Sequence, residues 1–147
     1  MSQNNVIYFQ IVTPERVVLK EEIRQVSVPT KMGEITVLPN HIPLVAALEP
    51  GVMEIIKANG EKEIISVSGG FIEIGKDKIV ILADTAERAQ EIDMGRVEAA
   101  RMKAEEVMAG ARRMDQEKFT DINARLAIEL ARSQAVKRWR KLKGLDK

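Results

Sequence analysis

Up to about Ala86, apolar and polar residues alternate in short runs, and each run ends at a turn signal. Val6 to Val12 is rich in β-branched and aromatic residues and reads as a strand. Thr13-Pro14-Glu15 breaks it, because proline cannot donate to a ladder. Arg16 to Lys20 and Ile23 to Val28 read as two further strands, and Pro29 to Gly33 turns the chain into Glu34 to Leu38. Beyond Pro39-Asn40-His41, Val52 to Lys57 and Glu61 to Val67 flank Ala58-Asn59-Gly60, a hairpin signal because Asn and Gly tolerate positive φ. Ser68-Gly69-Gly70 leads into Phe71 to Ile74, and Gly75-Lys76-Asp77 turns into Lys78 to Ala83. Many short strands without an intervening helix predict an antiparallel sandwich or barrel.

After Ile92 the period changes. Residues 91–147 hold no proline and are dominated by Ala, Arg, Glu, Lys and Met, all good helix formers. Met94, Val97, Ala100, Ala104, Val107, Met108 and Ala111 fall near one helical face, and Phe119, Ile122, Leu126, Leu130 and Ser133 make a second stripe. The polar stretch Gly110 to Asp121 is expected to hold the turn of an αα-hairpin. The whole is thus an α+β chain, with an N-terminal antiparallel β-sandwich over 1–88 and a C-terminal α-helical hairpin over 89–147. The first stripe is mostly alanine. At about 25 cal/mol per Å² buried, alanine contacts stabilise far less than leucine contacts, so the hairpin is expected to open at modest cost.

Composition narrows the function. Hydrophobic residues make up 45% and aromatics 3%, so the core must rest on Val, Ile, Leu and Met. Zero cysteines and a single histidine, His41, exclude disulfides, Cys-ligated metals and multi-His metal sites within one chain. A formal charge of +1 gives no overall nucleic-acid-like excess. No apolar run approaches the roughly 18–20 residues that span a bilayer, and Met1 to Asn5 is polar, with neither signal nor transit character. A soluble chain is expected, tied to a membrane only through protein partners. No catalytic constellation is visible, and Ser68-Gly69-Gly70 lacks the flanks of a nucleophile elbow.

The C-terminal end crowds Lys137, Arg138, Arg140, Lys141, Lys143 and Lys147 against Asp146 alone. One reading is a solvated helix end, its cations at the negative pole of the helix dipole. Another is a basic arm for an acidic protein surface. Nucleic acid comes third, since Trp139 is the sole aromatic there. Trp139 itself reads equally as an interface anchor or as packing on the sandwich.

The turn-bearing segments carry a resemblance. Thr13-Pro14-Glu15, Pro29-Thr30-Lys31-Met32-Gly33-Glu34, Leu38-Pro39-Asn40-His41-Ile42-Pro43-Leu44, Leu48-Glu49-Pro50-Gly51, Ser68-Gly69-Gly70-Phe71 and Ile81 to Arg88 resemble, in order and spacing, the epsilon subunit of bacterial and plastid F-type ATP synthases. The resemblance implies a non-catalytic rotor subunit whose sandwich packs on the gamma subunit and sits on the ring of c subunits, coupling proton flow to ATP synthesis. It implies a hairpin that folds onto the sandwich or extends along gamma, the extended form inhibiting ATP hydrolysis through the beta (and alpha) subunits. The implied location is the cytoplasmic face of a bacterial cell membrane, ahead of a plastid thylakoid.

The same resemblance assigns residues. Glu34 and His41 match positions facing the c-ring, where Glu34 would accept and His41 donate; by local chemistry alone His41 is a turn histidine bonded to its neighbours. Lys137, Arg138, Arg140, Lys141 and Lys143 would meet acidic segments of the beta subunit. Asp93 reads locally as the N-cap of the first helix, worth about 1 kcal/mol, with Arg96 a surface residue. In nucleotide-binding members the motif is Ile or Leu, Asp, two residues, Arg, Ala; here Ile92, Asp93 and Arg96 match and Val97 replaces Ala. Glu87, Lys103 and Arg132 match further nucleotide positions, Lys103 in place of an Arg, while Val136 stands where another Arg is expected. The resemblance thus implies no required cofactor and makes ATP a candidate regulatory ligand, and an ATP-sensing module acting through hairpin closure is the alternative function. Catalytic and metal-binding residues are expected to be none.

Overall fold

The computed structural model describes residues 5–110 and 116–145. In chain order these form β1 (Ile7–Val12), β2 (Val17–Thr30), β3 (Gly33–Val37), β4 (Leu44–Leu48), β5 (Gly51–Lys57), β6 (Lys62–Val67), β7 (Gly70–Ile74), β8 (Lys78–Ala83) and β9 (Ala86–Arg88). A 3-10 turn (Ala89–Glu91) then leads to α1 (Met94–Ala109) and α2 (Gln116–Leu142).

The strands follow the order β1-β8-β7-β4-β2-β5-β6-β9, with β3 beside β2, and β1 pairing again with β2 closes one end into a flattened barrel. All pairings are antiparallel except β1 with β8. The fold is the expected sandwich, but β2 is one strand where two were expected. Its first part pairs with β1, its middle with β5 and its last with β3. The charged junction Lys20-Glu21-Glu22 does not break it, because Lys57 Nζ stands 3.3 Å from Glu21 Oε1 and the neighbours point to water. Pro29 stays in the ladder opposite Glu34, and its carbonyl accepts the Glu49 N–H at 3.1 Å. A register shift beside Val12 buries Val18 and Leu19 consecutively, as a bulge does.

The core is aliphatic, as composition required. Phe9, Ile11, Ile23, Val26, Met53, Ile55, Ile65, Ile72, Ile79 and Ile81 interdigitate inside the barrel. The Ser68-Gly69-Gly70 motif is a structural knot. A Cβ on Gly70, at φ 124°, would overlap the Leu82 carbonyl oxygen and stand 2.8 Å from Ala83 Cα. Beside it Ser68 N–H donates to Thr85 O at 3.1 Å, and Thr85 N–H returns to Ser68 Oγ at 2.9 Å.

A second, smaller core seats the helices. Val52 and Ile64, on the outer face of β5 and β6, meet Ala89, Ile92, Val97, Ala135 and Val136, with Met94 and Trp139 packed against them. Trp139 therefore packs on the sandwich. The helix that rests on β5 and β6 is α2, while α1 lies on α2. α2 begins at Gln116, ahead of the expected end of the turn, and Ala111 lies outside the described residues. Of the second stripe, Ser133 is buried as expected and Ile122 and Leu126 are half-buried, but Phe119 and Leu130 face water and Ala131, Ala135 and Val136 are buried in their place. Small residues line the docked face because they let the helix approach the sheet closely. Among the described residues no helix is long and apolar enough to cross a membrane.

Candidate functional site

The outer face of the barrel carries a row of apolar residues. Period-two alternation sends Ile72, Ile81 and Ile11 inward, so Phe71, Leu82 and Val12 point outward. Register aligns Ala47, Phe71, Leu82, Val12 and Val17 side by side across β4, β7, β8, β1 and β2. Phe71, Leu82 and Val17 remain 56%, 53% and 53% exposed. The next row holds Val45, Glu73, Val80 and Gln10. A contiguous apolar band on a charged surface marks a protein contact. Reading the strands singly did not reveal it; the available signal was strands apolar on both faces, as in Phe71-Ile72 and Ile81-Leu82.

A second surface surrounds β3. Met32, at the tip of the β2–β3 turn, is 96% exposed, and Leu38 and Ile42 are also exposed. Glu34 lies exposed just past that turn, opposite Pro29. His41 lies in the loop beyond the other end of β3, where its N–H donates to Leu38 O at 3.2 Å and Asn40 takes φ 67°. His41 Nδ1 is 2.6 Å from Ile42 O. A carbonyl only accepts, so Nδ1 carries the proton, and in this tautomer Nε2 faces a partner as an acceptor rather than as the expected donor.

The hairpin brings some of the expected nucleotide ligands together and separates others. Asp93 Oδ1 caps α1 by accepting the Arg96 N–H at 3.2 Å. The Arg96 side chain, 87% exposed, lies 3.7 Å from Asp93 Oδ2. Arg132 Nε and Nη2 both reach Glu87 Oε2 at 3.1 Å, and its Nη1 reaches Glu129 at 3.2 Å. Lys103 lines a groove of about 540 Å³ between the helices, with Ala100, Ala104, Val107, Ile122, Arg125 and Glu129 among its walls. Across the hairpin Ser133 Oγ donates to Glu98 Oε1 at 3.4 Å, and Arg101 holds Glu98 Oε2 at 2.7 Å. The Arg101 hydrogen bond keeps the Glu98 carboxyl below its ordinary range, and Glu98 in turn raises Arg101. Beside the 3-10 turn, buried Glu63 gathers Lys57 and Arg88 at 3.6 Å and Gln90 at 3.3 Å. Lys137, Arg138, Arg140, Lys141 and Lys143 project into solvent and form no ion pair among the described residues.

The matching family model, described as "ATP synthase, Delta/Epsilon chain, beta-sandwich domain", covers residues 6–89. The chain belongs to this family. An ATP synthase epsilon chain of Chloroflexus aggregans is 52% identical over 98 residues, 67% of this chain and 70% of the relative. One from Herpetosiphon aurantiacus is 45% identical over 127 residues, 86% and 88% of the two chains. Among solved structures, a chain of the Euglena gracilis mitochondrial ATP synthase F1/c-ring assembly superposes with TM-score 0.80 at 22% identity, covering 92% of this chain and 84% of that one. A chain of the Tetrahymena thermophila central stalk and c-ring gives 0.57 at 10% identity. These two likenesses carry the fold, sandwich and hairpin together. As a member of the ATP synthase delta/epsilon family, the chain is a non-catalytic subunit.

Proposed function

We propose that this chain is the central-stalk rotor subunit of a proton-translocating F-type ATP synthase and restrains ATP hydrolysis through its C-terminal helices. The observation that carries the docking part is the outer row of Ala47, Phe71, Leu82, Val12 and Val17. Such a band suits the gamma subunit, because burying it recovers the cost of exposing apolar strands to water. The exposed surface around β3, with Glu34, His41, Met32 and Ile42, suits the c-ring. There a carboxylate accepts, and the imidazole, its Nδ1 already engaged, offers Nε2. The exposed cations from Lys137 to Lys143 suit acidic segments of the beta and alpha subunits when the hairpin is raised. On this reading the chain works at the cytoplasmic face of a bacterial membrane, held there by the complex.

Leu82→Lys tests the docking role. Leu82 is more than half exposed, so the isolated chain should keep its stability within about 0.5 kcal/mol, while co-elution with gamma is lost. Undiminished co-elution would remove the apolar row from the interface.

A further inference from the structure

Glu87, Glu129 and Arg132 join the last strand of the sandwich to α2 at the start of its docked half. Glu87 sits on β9 opposite Ser66, and Arg132 immediately follows the first buried helix residue, Ala131. Nε and Nη2 of Arg132 converge on one Glu87 oxygen, while Nη1 faces both oxygens of Glu129. Each guanidinium nitrogen is thus already directed at a carboxylate, so a phosphate would have to displace one of them. Two carboxylates on one guanidinium leave a local charge of −1, which repels a phosphate. The other expected nucleotide ligands do not offset this. Asp93 caps α1, Arg96 extends into water beside it, and Lys103 borders a groove walled largely by Ala100, Ala104, Val107 and Ile122. The residues present do not fit a bound ATP in the folded hairpin.

We propose that Glu87 gripping Arg132, whose guanidinium Glu129 orients from within the same helix, is an internal clamp that closes the hairpin without a nucleotide. The Glu87 carboxylate does what a ligand's phosphate would have to do, and a raised hairpin releases it while the Glu129–Arg132 pair persists within α2. This rests on the reading of the hairpin as an element that opens independently of the sandwich.

The test is amide hydrogen exchange on the full chain, comparing residues 131–139 of α2 with the β1 and β8 core, with and without millimolar magnesium-ATP. Glu87→Gln and Arg132→Gln are each expected to speed α2 exchange by about fivefold, the effect of losing one partly exposed ion pair. The triple variant Glu87→Arg/Glu129→Arg/Arg132→Glu, which inverts the charge of every partner, is expected to recover much of the loss, and ATP to leave the wild-type pattern unchanged. Protection of β1 and β8 reports that each variant is folded. If ATP slows α2 exchange in the wild type, or if neither single variant speeds it, the clamp is overturned while the mobile hairpin stands. If α2 exchanges only as fast as the barrel core, both the clamp and independent opening fail.

Discussion

Val136→Ala isolates how tightly the hairpin is held. Val136 is 3% exposed, seated with Ala135 in the small core formed with Val52 and Ile64. The substitution removes two methyl groups, about 0.8 kcal/mol each in transfer free energy, and leaves a small cavity, for a total of about 2 kcal/mol. Alanine is the better helix former, but α2 is helical whether docked or raised, so propensity cancels from the docking equilibrium. The side chain lies outside the barrel core around Phe9, Ile72 and Ile81, so barrel stability should hold. The population of raised hairpin should therefore increase roughly 30-fold, since each 1.4 kcal/mol is a factor of ten. Hydrogen exchange resolved by segment reads this directly: α2 amides accelerate by that factor, and β1 and β8 amides keep their rates. Equal acceleration in both regions would refute the reasoning, because it would make hairpin and barrel one cooperative unit.

Gly70→Ala is expected to destabilise the barrel by at least about 3 kcal/mol, combining a positive-φ penalty with overlap on the Leu82 carbonyl. A thermal melt within a degree or two of wild type would contradict that account. Acid is expected to weaken α1 and its contact with α2, because protonating Glu98 weakens both its Arg101 hydrogen bond inside α1 and the Ser133 hydrogen bond it accepts across the hairpin. The Arg101 hydrogen bond lowers the Glu98 pKa from its ordinary 4.5, so the folded state gains stability above that value and loses it as pH falls through the lowered one. Exchange of α1 amides followed from about pH 6 to pH 3 should show the loss, and Glu98→Gln should abolish it.

Much of the fold was legible because strand alternation and turn chemistry are local. Asn59-Gly60 makes its turn, with Gly60 at φ 90° and Asn59 Oδ1 accepting from Glu61. Asp93 caps α1 as its position at the helix start implied. What escaped the sequence depends on partners far along the chain. Pro29 looked like a strand end, yet opposite Glu34 its missing N–H does not stop the ladder. β4 carries no strand signal of its own, because Leu44-Val45-Ala46-Ala47-Leu48 is apolar throughout and alternates nothing. Leu130 and Phe119 are apolar at helical spacing yet exposed, because the part of α2 that meets Val52 and Ile64 on the sheet is Ala135 and Val136. The pairing of Glu87 with Arg132, and the row from Ala47 to Val17, exist only once strands and helix are brought side by side.

The central claim is that the sandwich docks and the hairpin regulates. Its most direct test is ATP hydrolysis by the matching alpha-beta-gamma core, titrated with the full chain and with a chain truncated after Ala89. The expected result is saturable inhibition near one copy per core, lost on truncation. A hydrolysis rate unchanged by the full chain would contradict the regulatory role, and inhibition that survives truncation would move it from the hairpin to the sandwich.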